Sequence, residues 1–228
     1  MERSTPIRVG PESPIVKTER SIAKVNGMTH VEPGTRPSEA RTRLLTTATR
    51  IFYAEGIHAV GVDRIIAEAK VTRATFYRHF PGKENLVLAY LRAVHEMERG
   101  GYDAAIAAAP SPVDALLTIA GSIAQGIRSP GFRGCAFLNA AAEYPDPDSP
   151  VRQEIIAHRQ WFLDTLHGLL AQVAADSAEP AARHYVMLRD GAMAAGCLFD
   201  PALVSETFLR GIDGLVRTHA AREPSSAR

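Results

Sequence analysis

Residues 62–80, VDRIIAEAKVTRATFYRHF, constrain the fold of this chain more than any other stretch. Val62, Ile65, Ile66 and Ala69 fall at i, i+3, i+4 and i+7, the apolar stripe of a short helix. The stripe breaks at Lys70-Val71, and the Thr72 hydroxyl is then placed to cap a second helix. In that second helix Phe76 faces inward and Phe80 closes the apolar face. Arg73, Ala74, Thr75, Tyr77, Arg78 and His79 are left outside. Two helices joined by a tight turn, the second with donors on its free face, have the geometry that enters a DNA major groove.

The rest of the chain reads as helix. Pro6, Pro11, Pro14, Pro33 and Pro37 break residues 1–37, which show no periodicity and read as a disordered arm. The alternative is a basic arm (Arg3, Arg8, Lys17, Arg20, Lys24) that tracks a DNA groove, and Met28 offers an alternative start. From Ser38, read as the cap of the first helix, Leu44, Leu45, Ala48, Ile51 and Phe52 form a buried stripe until Gly56. After the two motif helices, further helices are predicted at about 83–108, 112–128, 134–144, 150–174, 179–198 and 201–220, separated by proline and glycine. The expected fold is all-α with about nine helices. It divides into an N-terminal three-helix helix-turn-helix DNA-binding domain (38–82), a larger helical ligand-binding and dimerisation domain (83–222) and a tail (223–228).

The segment 62–80, with RLLTTATRIFYAEGIHAVGVDRIIAEA before it and PGKENLVLAYL after it, resembles the DNA-binding domain of the tetracycline-repressor (TetR) family. The resemblance covers roughly residues 38–90, and its most specific part is T-x-x-T-F-Y-R-H-F followed by K-E-x-L. Lys70 stands where the family usually has a turn glycine, and Gly61 where it usually has Ser or Thr. Lysine occupies such a turn under strain if φ is positive. The resemblance implies a ligand-responsive transcriptional regulator, usually a repressor that occupies a palindromic operator.

Charge agrees with that division. Residues 36–92 hold 10 Lys/Arg against 5 Asp/Glu, whereas residues 93–228 hold 11 against 16. A basic head on an acidic body suits a polyanion-binding module whose partner domain does not bind polyanions. Cys135 and Cys197 are too far apart for a metal-ligand or redox-pair spacing, and no cofactor or metal is expected. The eight histidines are scattered, with His30 and His219 in or near the tails. Neither a glycine-rich phosphate loop nor a nucleophile elbow is present, so an enzyme on a helical bundle is the weaker alternative. With no apolar run of roughly 18 residues and no signal peptide, the expectation is a cytoplasmic, soluble protein.

Within the head, Arg73 is the expected base reader, since an arginine at the start of a recognition helix bonds guanine O6 and N7 together. Ala74 suits a thymine methyl. The resemblance implies backbone contacts for Tyr77, His79 and Lys83; Thr72, Thr75, Arg78, Arg41 and Arg43 are further candidates, a plain solvated face being the alternative for the arginines. One head contacts too few bases for tight specific binding, so a homodimer on a near-palindrome is expected. Gly191, Ala195, Leu198, Phe208, Leu209, Ile212, Leu215 and Val216 are its candidate interface, packing within one chain being the alternative. The resemblance implies dimerisation through the final two helices.

The small-molecule effector has candidate contacts at Phe132, Cys135, Phe137, Leu138, Asn139, Tyr144, His158, Trp161, Phe162, Thr165 and Leu166. Fewer than half of these are expected to touch a ligand. Asn139 and His158 are the stronger pointers, because a polar group on an apolar face needs a partner. Cys135 is either a reactive thiol or a small buried one. A constitutive DNA-binding protein with no effector response is the remaining alternative.

Overall fold

The computed structural model describes residues 38–220. The arm 1–37 and the tail 223–228 lie outside the described residues, which fold into nine α-helices without a strand. Three helices form the head: α1 (Glu39–Glu55), α2 (Val62–Glu68) and α3 (Arg73–His79). Six form the body: α4 (Lys83–Ala108), α5 (Pro112–Ile127), α6 (Ala136–Glu143), α7 (Pro150–Ala171), α8 (Ala178–Ala195) and α9 (Pro201–Ala220). A 3₁₀ turn at Ala175–Ser177 precedes α8.

Local chemistry explains most of the boundaries. Gly56 ends α1 at φ 94°, its N–H donating to the Phe52 carbonyl at 3.0 Å. Ser38 departs from expectation: its carbonyl accepts from Thr42, but its hydroxyl makes no cap bond and turns to His79 instead. Lys70 takes the left-handed conformation, φ 53°, between α2 and α3. For a residue with a Cβ that costs about 1–2 kcal/mol. Ser111 accepts from the Asp114 N–H at 3.1 Å ahead of Pro112 at the first position of α5. Asp200 does the same for α9, its carboxylate accepting from the Ala202 N–H at 2.9 Å.

Apolar side chains gather in two cores. The first joins the α1 stripe (Leu44, Leu45, Ala48, Ile51, Phe52) to Ile65, Phe76 and Phe80, and continues past residue 82 into α4, α6 and the start of α7. The second packs α5, α7, α8 and α9 together with Tyr102 near the end of α4. Because α4 contributes to both, it is the beam that joins head and body.

The second core corrects part of the dimer expectation. Phe208, Ile212, Leu215 and Val216 are buried within the chain itself. At helical spacing they form the stripe that seats α9 on its own neighbours, and Ser205 on the same face donates to the Ala124 carbonyl of α5. Gly196, at the end of α8, also serves the chain's own packing. A Cβ there would lie 2.7 Å from an Ile127 methyl, so glycine lets α5 approach. His219 lies in the last turn of α9, its Nδ1 2.7 Å from the Ser177 hydroxyl.

Candidate nucleic-acid interface and interior cavity

Recognition helix α3 is held from behind by Phe76, which is fully buried and meets the Tyr77 ring edge-on at 5.1 Å. Thr72 caps it, accepting from the Thr75 N–H at 3.1 Å, and the two hydroxyls lie 2.9 Å apart. These threonines, expected as phosphate donors, are thus engaged with each other in the free head. Arg73, Ala74, Tyr77 and Arg78 are exposed, whereas Thr75 and His79 are half-buried. Arg73 forms an ion pair with Asp63 of α2. Both partners are largely exposed, so the pair contributes little stability and a base edge can compete for the guanidinium.

Other cations border the same helix. Arg41 lays its guanidinium over the Phe80 ring at 5.4 Å, and the Ser38 hydroxyl meets His79 Nε2 at 3.2 Å. Partial burial, then the charges of Arg78 and Arg41, hold the His79 imidazole below its ordinary range. Lys83 opens α4, and burial lowers its ammonium as well. Arg43 is spent on a solvent-side pair with Glu39 at 2.9 Å. Arg50 and Arg64 pair with Glu55 and Glu68, tying α1 to α2. Among the described residues Arg41, Arg78 and Lys83 make no ion pair, so the head's surplus charge gathers around α3. Unpaired cations beside an exposed helix face suit contact with a polyanion.

A cavity of about 240 Å³ lies between head and body. Tyr53, Tyr90, Tyr102, Phe132, Met97, Met193, Val94 and Ile123 supply its apolar wall. Thr49, Ser122, Cys135 and Glu98 are its polar side chains. Burial raises the Glu98 carboxyl, an effect that Arg189 and Arg159 only partly offset. The nearest basic atom is His158 Nε2 at 3.6 Å, beyond hydrogen-bond reach. The Thr49 hydroxyl is buried with no hydrogen-bond partner among the described residues.

Only Phe132 and Cys135 of the eleven expected effector contacts line this cavity. Phe137, Phe162 and Leu166 are core, and Leu138 is partly buried against it. The two polar pointers are satisfied within the fold. His158 stacks on Phe137 at 3.4 Å and meets His95 Nδ1 at 3.0 Å. Burial above all, then His95, pushes its imidazole down to about 3. Asn139 donates to the Arg133 carbonyl at 2.8 Å. Trp161 stacks on Tyr102 behind the wall, Thr165 bonds back to the Trp161 carbonyl, and Tyr144 packs on His58. The overlooked wall residues sit on α1, α4, α5, the start of α6 with the loop before it, and α8. One was detectable: Glu98 interrupts the apolar face of Leu86, Tyr90, Val94, Met97 and Tyr102, the sign that singled out His158.

The cavity reaches the head through hydrogen bonds. Tyr53 of α1 lines it, and its hydroxyl donates to the Gly134 carbonyl at 2.9 Å while accepting from the Arg133 N–H at 2.9 Å. Burial pushes that phenol up to about 12, so it stays protonated and can donate. At the far end of α6, Glu143 accepts from the Ile57 and His58 N–H groups at 2.8 and 2.5 Å. The α6 segment therefore grips α1 on one side and the turn before α2 on the other. Cys135 and Ala136, at the start of α6, are cavity wall.

Leu198 (75% exposed), Phe199, Leu203 and Met187 are exposed apolar side chains on α8, α9 and the turn between them. Gly191 and Leu209 are exposed and Ala195 half-buried in the same region. These, with Leu198, are the expected interface residues still open to a second chain.

A capped recognition helix on a basic three-helix head, carried by a helical body with its own cavity, defines a helix-turn-helix DNA-binding protein. Residues 44–90 match the family model for bacterial regulatory proteins of the tetR family. The chain is 63% identical to SCO4454, a TetR-family transcriptional regulator from Streptomyces coelicolor, over 80% of this chain and 97% of that one, with a TM-score of 0.79. This chain belongs to the TetR family of transcriptional regulators. It is 38% identical over 61 residues to the transcriptional regulator LmrA of Bacillus subtilis, covering 26% of this chain and 31% of LmrA. Over 54 residues it is 41% identical to the transcriptional activator FasR of Mycolicibacterium smegmatis, covering 24% of this chain and 25% of FasR. The matches thus span less than a third of these curated relatives. A TetR-family regulator from Cytophaga hutchinsonii shares the fold alone, with TM-score 0.72 at 15% identity over 83% of this chain and 100% of that one.

Proposed function

We propose that this protein is a cytoplasmic, dimeric, non-enzymatic repressor that occupies a near-palindromic operator and leaves it when a small molecule fills the cavity. Arg73 and Ala74 read base edges. Tyr77, Arg78, His79, Lys83, Arg41, Thr72 and Thr75 position the head on phosphates, with Arg43 a peripheral contributor. The homodimer forms through Gly191, Ala195, Leu198 and Leu209 with the neighbouring Phe199 and Leu203, presenting two heads at fixed spacing. Neither a cofactor nor a metal is required.

The observation that carries ligand response is the position of Tyr53. One side chain is both cavity wall and the hydrogen-bonded tie between α1 and the segment leading into α6. A ligand that displaces that ring shifts α6, and Glu143 passes the shift to the turn that orients α2 and α3. The equilibrium moves toward a spacing that no longer fits the operator, to the extent that the ligand prefers that state. The test is selection of bound duplexes from a random pool, repeated with metabolites present. A two-fold symmetric consensus, lost with some compound, is the expected result. Absence of any preferred duplex overturns operator recognition; a consensus indifferent to every compound leaves constitutive binding.

A further inference from the structure

We propose that the cavity between α1, α4 and α5 takes a singly charged, largely apolar organic cation, its charge against the Glu98 carboxylate and its body among the rings of Tyr90, Tyr102 and Phe132. This deepens the ligand-responsive reading and rests on it. Among the described residues no lysine, arginine or histidine lines the cavity, so the formal charge that this wall can present is negative. Three tyrosines and a phenylalanine surround that charge, and aromatic faces attract a cation that has left water. The thioethers of Met97 and Met193 add soft, adaptable surface for an apolar body.

Glu98 is short of partners in a way that a cation remedies. It accepts no hydrogen bond among the described residues, and His158 beside it is held neutral. Behind it Arg159 and Arg189 both pair with Asp190, while the buried Arg189 Nε has no hydrogen-bond partner among the described residues. Their remaining field does not make up for what burial removes, since the Glu98 carboxyl stays raised. That field also limits the ligand to one charge, because a dication would meet two guanidiniums behind the carboxylate. Independently, Thr49 is 4% exposed and part of the same wall, and its hydroxyl has no partner among the described residues, a polar group left for an occupant. An anion would face the carboxylate with no cation on the wall among the described residues.

The test compares benzyltrimethylammonium, its uncharged carbon isostere neopentylbenzene, and phenylmethanesulfonate by calorimetry and by release of the selected operator. The ammonium is expected to bind at least about tenfold more tightly than the isostere, a margin in the range of a desolvated cation–π contact. The sulfonate is expected not to bind. Glu98→Gln should bring ammonium and isostere within about threefold of each other while isostere affinity is kept. Should that variant not fold, Tyr102→Leu should weaken the ammonium more than the isostere. Equal or tighter binding of the isostere, or a preference that survives Glu98→Gln, overturns the proposal. Operator release by the isostere or sulfonate alone sinks the charge assignment and keeps ligand response. If the ammonium does not bind, the proposal fails, but ligand response falls only if the wider metabolite set also leaves the operator bound.

Discussion

Glu143→Gln tests whether head and body are mechanically joined. The carboxylate bonds two consecutive backbone N–H groups, Ile57 at 2.8 Å and His58 at 2.5 Å. Ile57 is buried, so its N–H has no water to turn to, whereas the His58 side chain is more than half exposed. Hydrogen bonds to a charged acceptor contribute about 1.5–3 kcal/mol each in buried settings. Allowing nearly full value at Ile57 and little at His58 gives about 2 kcal/mol. Glutamine keeps one acceptor, weaker by about 1 kcal/mol because it is uncharged, and turns an NH₂ donor toward the other N–H, so the second bond becomes a donor–donor contact that costs about as much again. The expected loss is therefore about 2 kcal/mol, felt first at the α1–α2 turn.

Two readouts separate this from a general weakening. Amide exchange should speed up at Ile57 and His58 by about 30-fold, the factor that 2 kcal/mol implies, with smaller changes in α8 and α9. Effector-driven operator release should lose part of its coupling, typically about 1–3 kcal/mol in such systems, while ligand affinity in the body holds. Unchanged protection at both amides, or a urea midpoint equivalent to a loss under about 0.5 kcal/mol, would refute the idea that α6 grips the head.

Phe76→Ala should cost about 3–5 kcal/mol in urea unfolding, because the ring is fully buried behind α3; a loss under about 1 kcal/mol contradicts its anchoring role. Arg73→Ala should relax base preference at one position per half-site at a cost of about 1–3 kcal/mol, and an unchanged selected consensus counts against base reading. His158, with an ordinary value near 6.5 but about 3 in the fold, favours the folded state fully above pH 6.5 and progressively less as pH falls toward 3, by about 2 kcal/mol at pH 5. Glu98, raised by burial, works with the opposite sign, so the readout is the His158 ring itself: an NMR titration of that ring between pH 7 and 5 would contradict its burial as neutral imidazole. Leu198→Glu with Leu203→Glu should yield a folded monomer by light scattering, and a persistent dimer places the interface elsewhere.

The head is legible in the sequence because its information is local. The i, i+3, i+4, i+7 stripe of α2, the Thr72 cap and inward-facing Phe76 lie within nineteen residues, and α1 carries its own stripe. The resemblance places Lys70 where the family usually has a turn glycine, a position strained for lysine if φ is positive, and φ there is 53°. The interface expectation fails in part for a physical reason. A stripe such as Phe208, Ile212, Leu215 and Val216 says that a helix is buried on one face, but not whether its cover belongs to the same chain. Here α5 of the same chain supplies it, and Gly196 shows how closely those elements approach.

The cavity is harder to read, because its wall is assembled from α1, α4, α5, the loop before α6 and α8, residues far apart in sequence. Aromatic density drew attention to α7, but aromatic side chains bury themselves wherever a core needs volume, and Trp161 and Phe162 do so behind the wall. Buried polarity is the sharper guide, provided that each polar group is asked whether the fold satisfies it. His158 and Asn139 are satisfied by His95 and the Arg133 carbonyl, and so point inward to structure. Glu98 and Thr49 are not, and they point into the cavity. The same test accounts for Tyr53, whose hydroxyl is satisfied only by the 133–134 segment: its bonds mark a joint, and a ligand beside its ring acts on both sides of that joint at once.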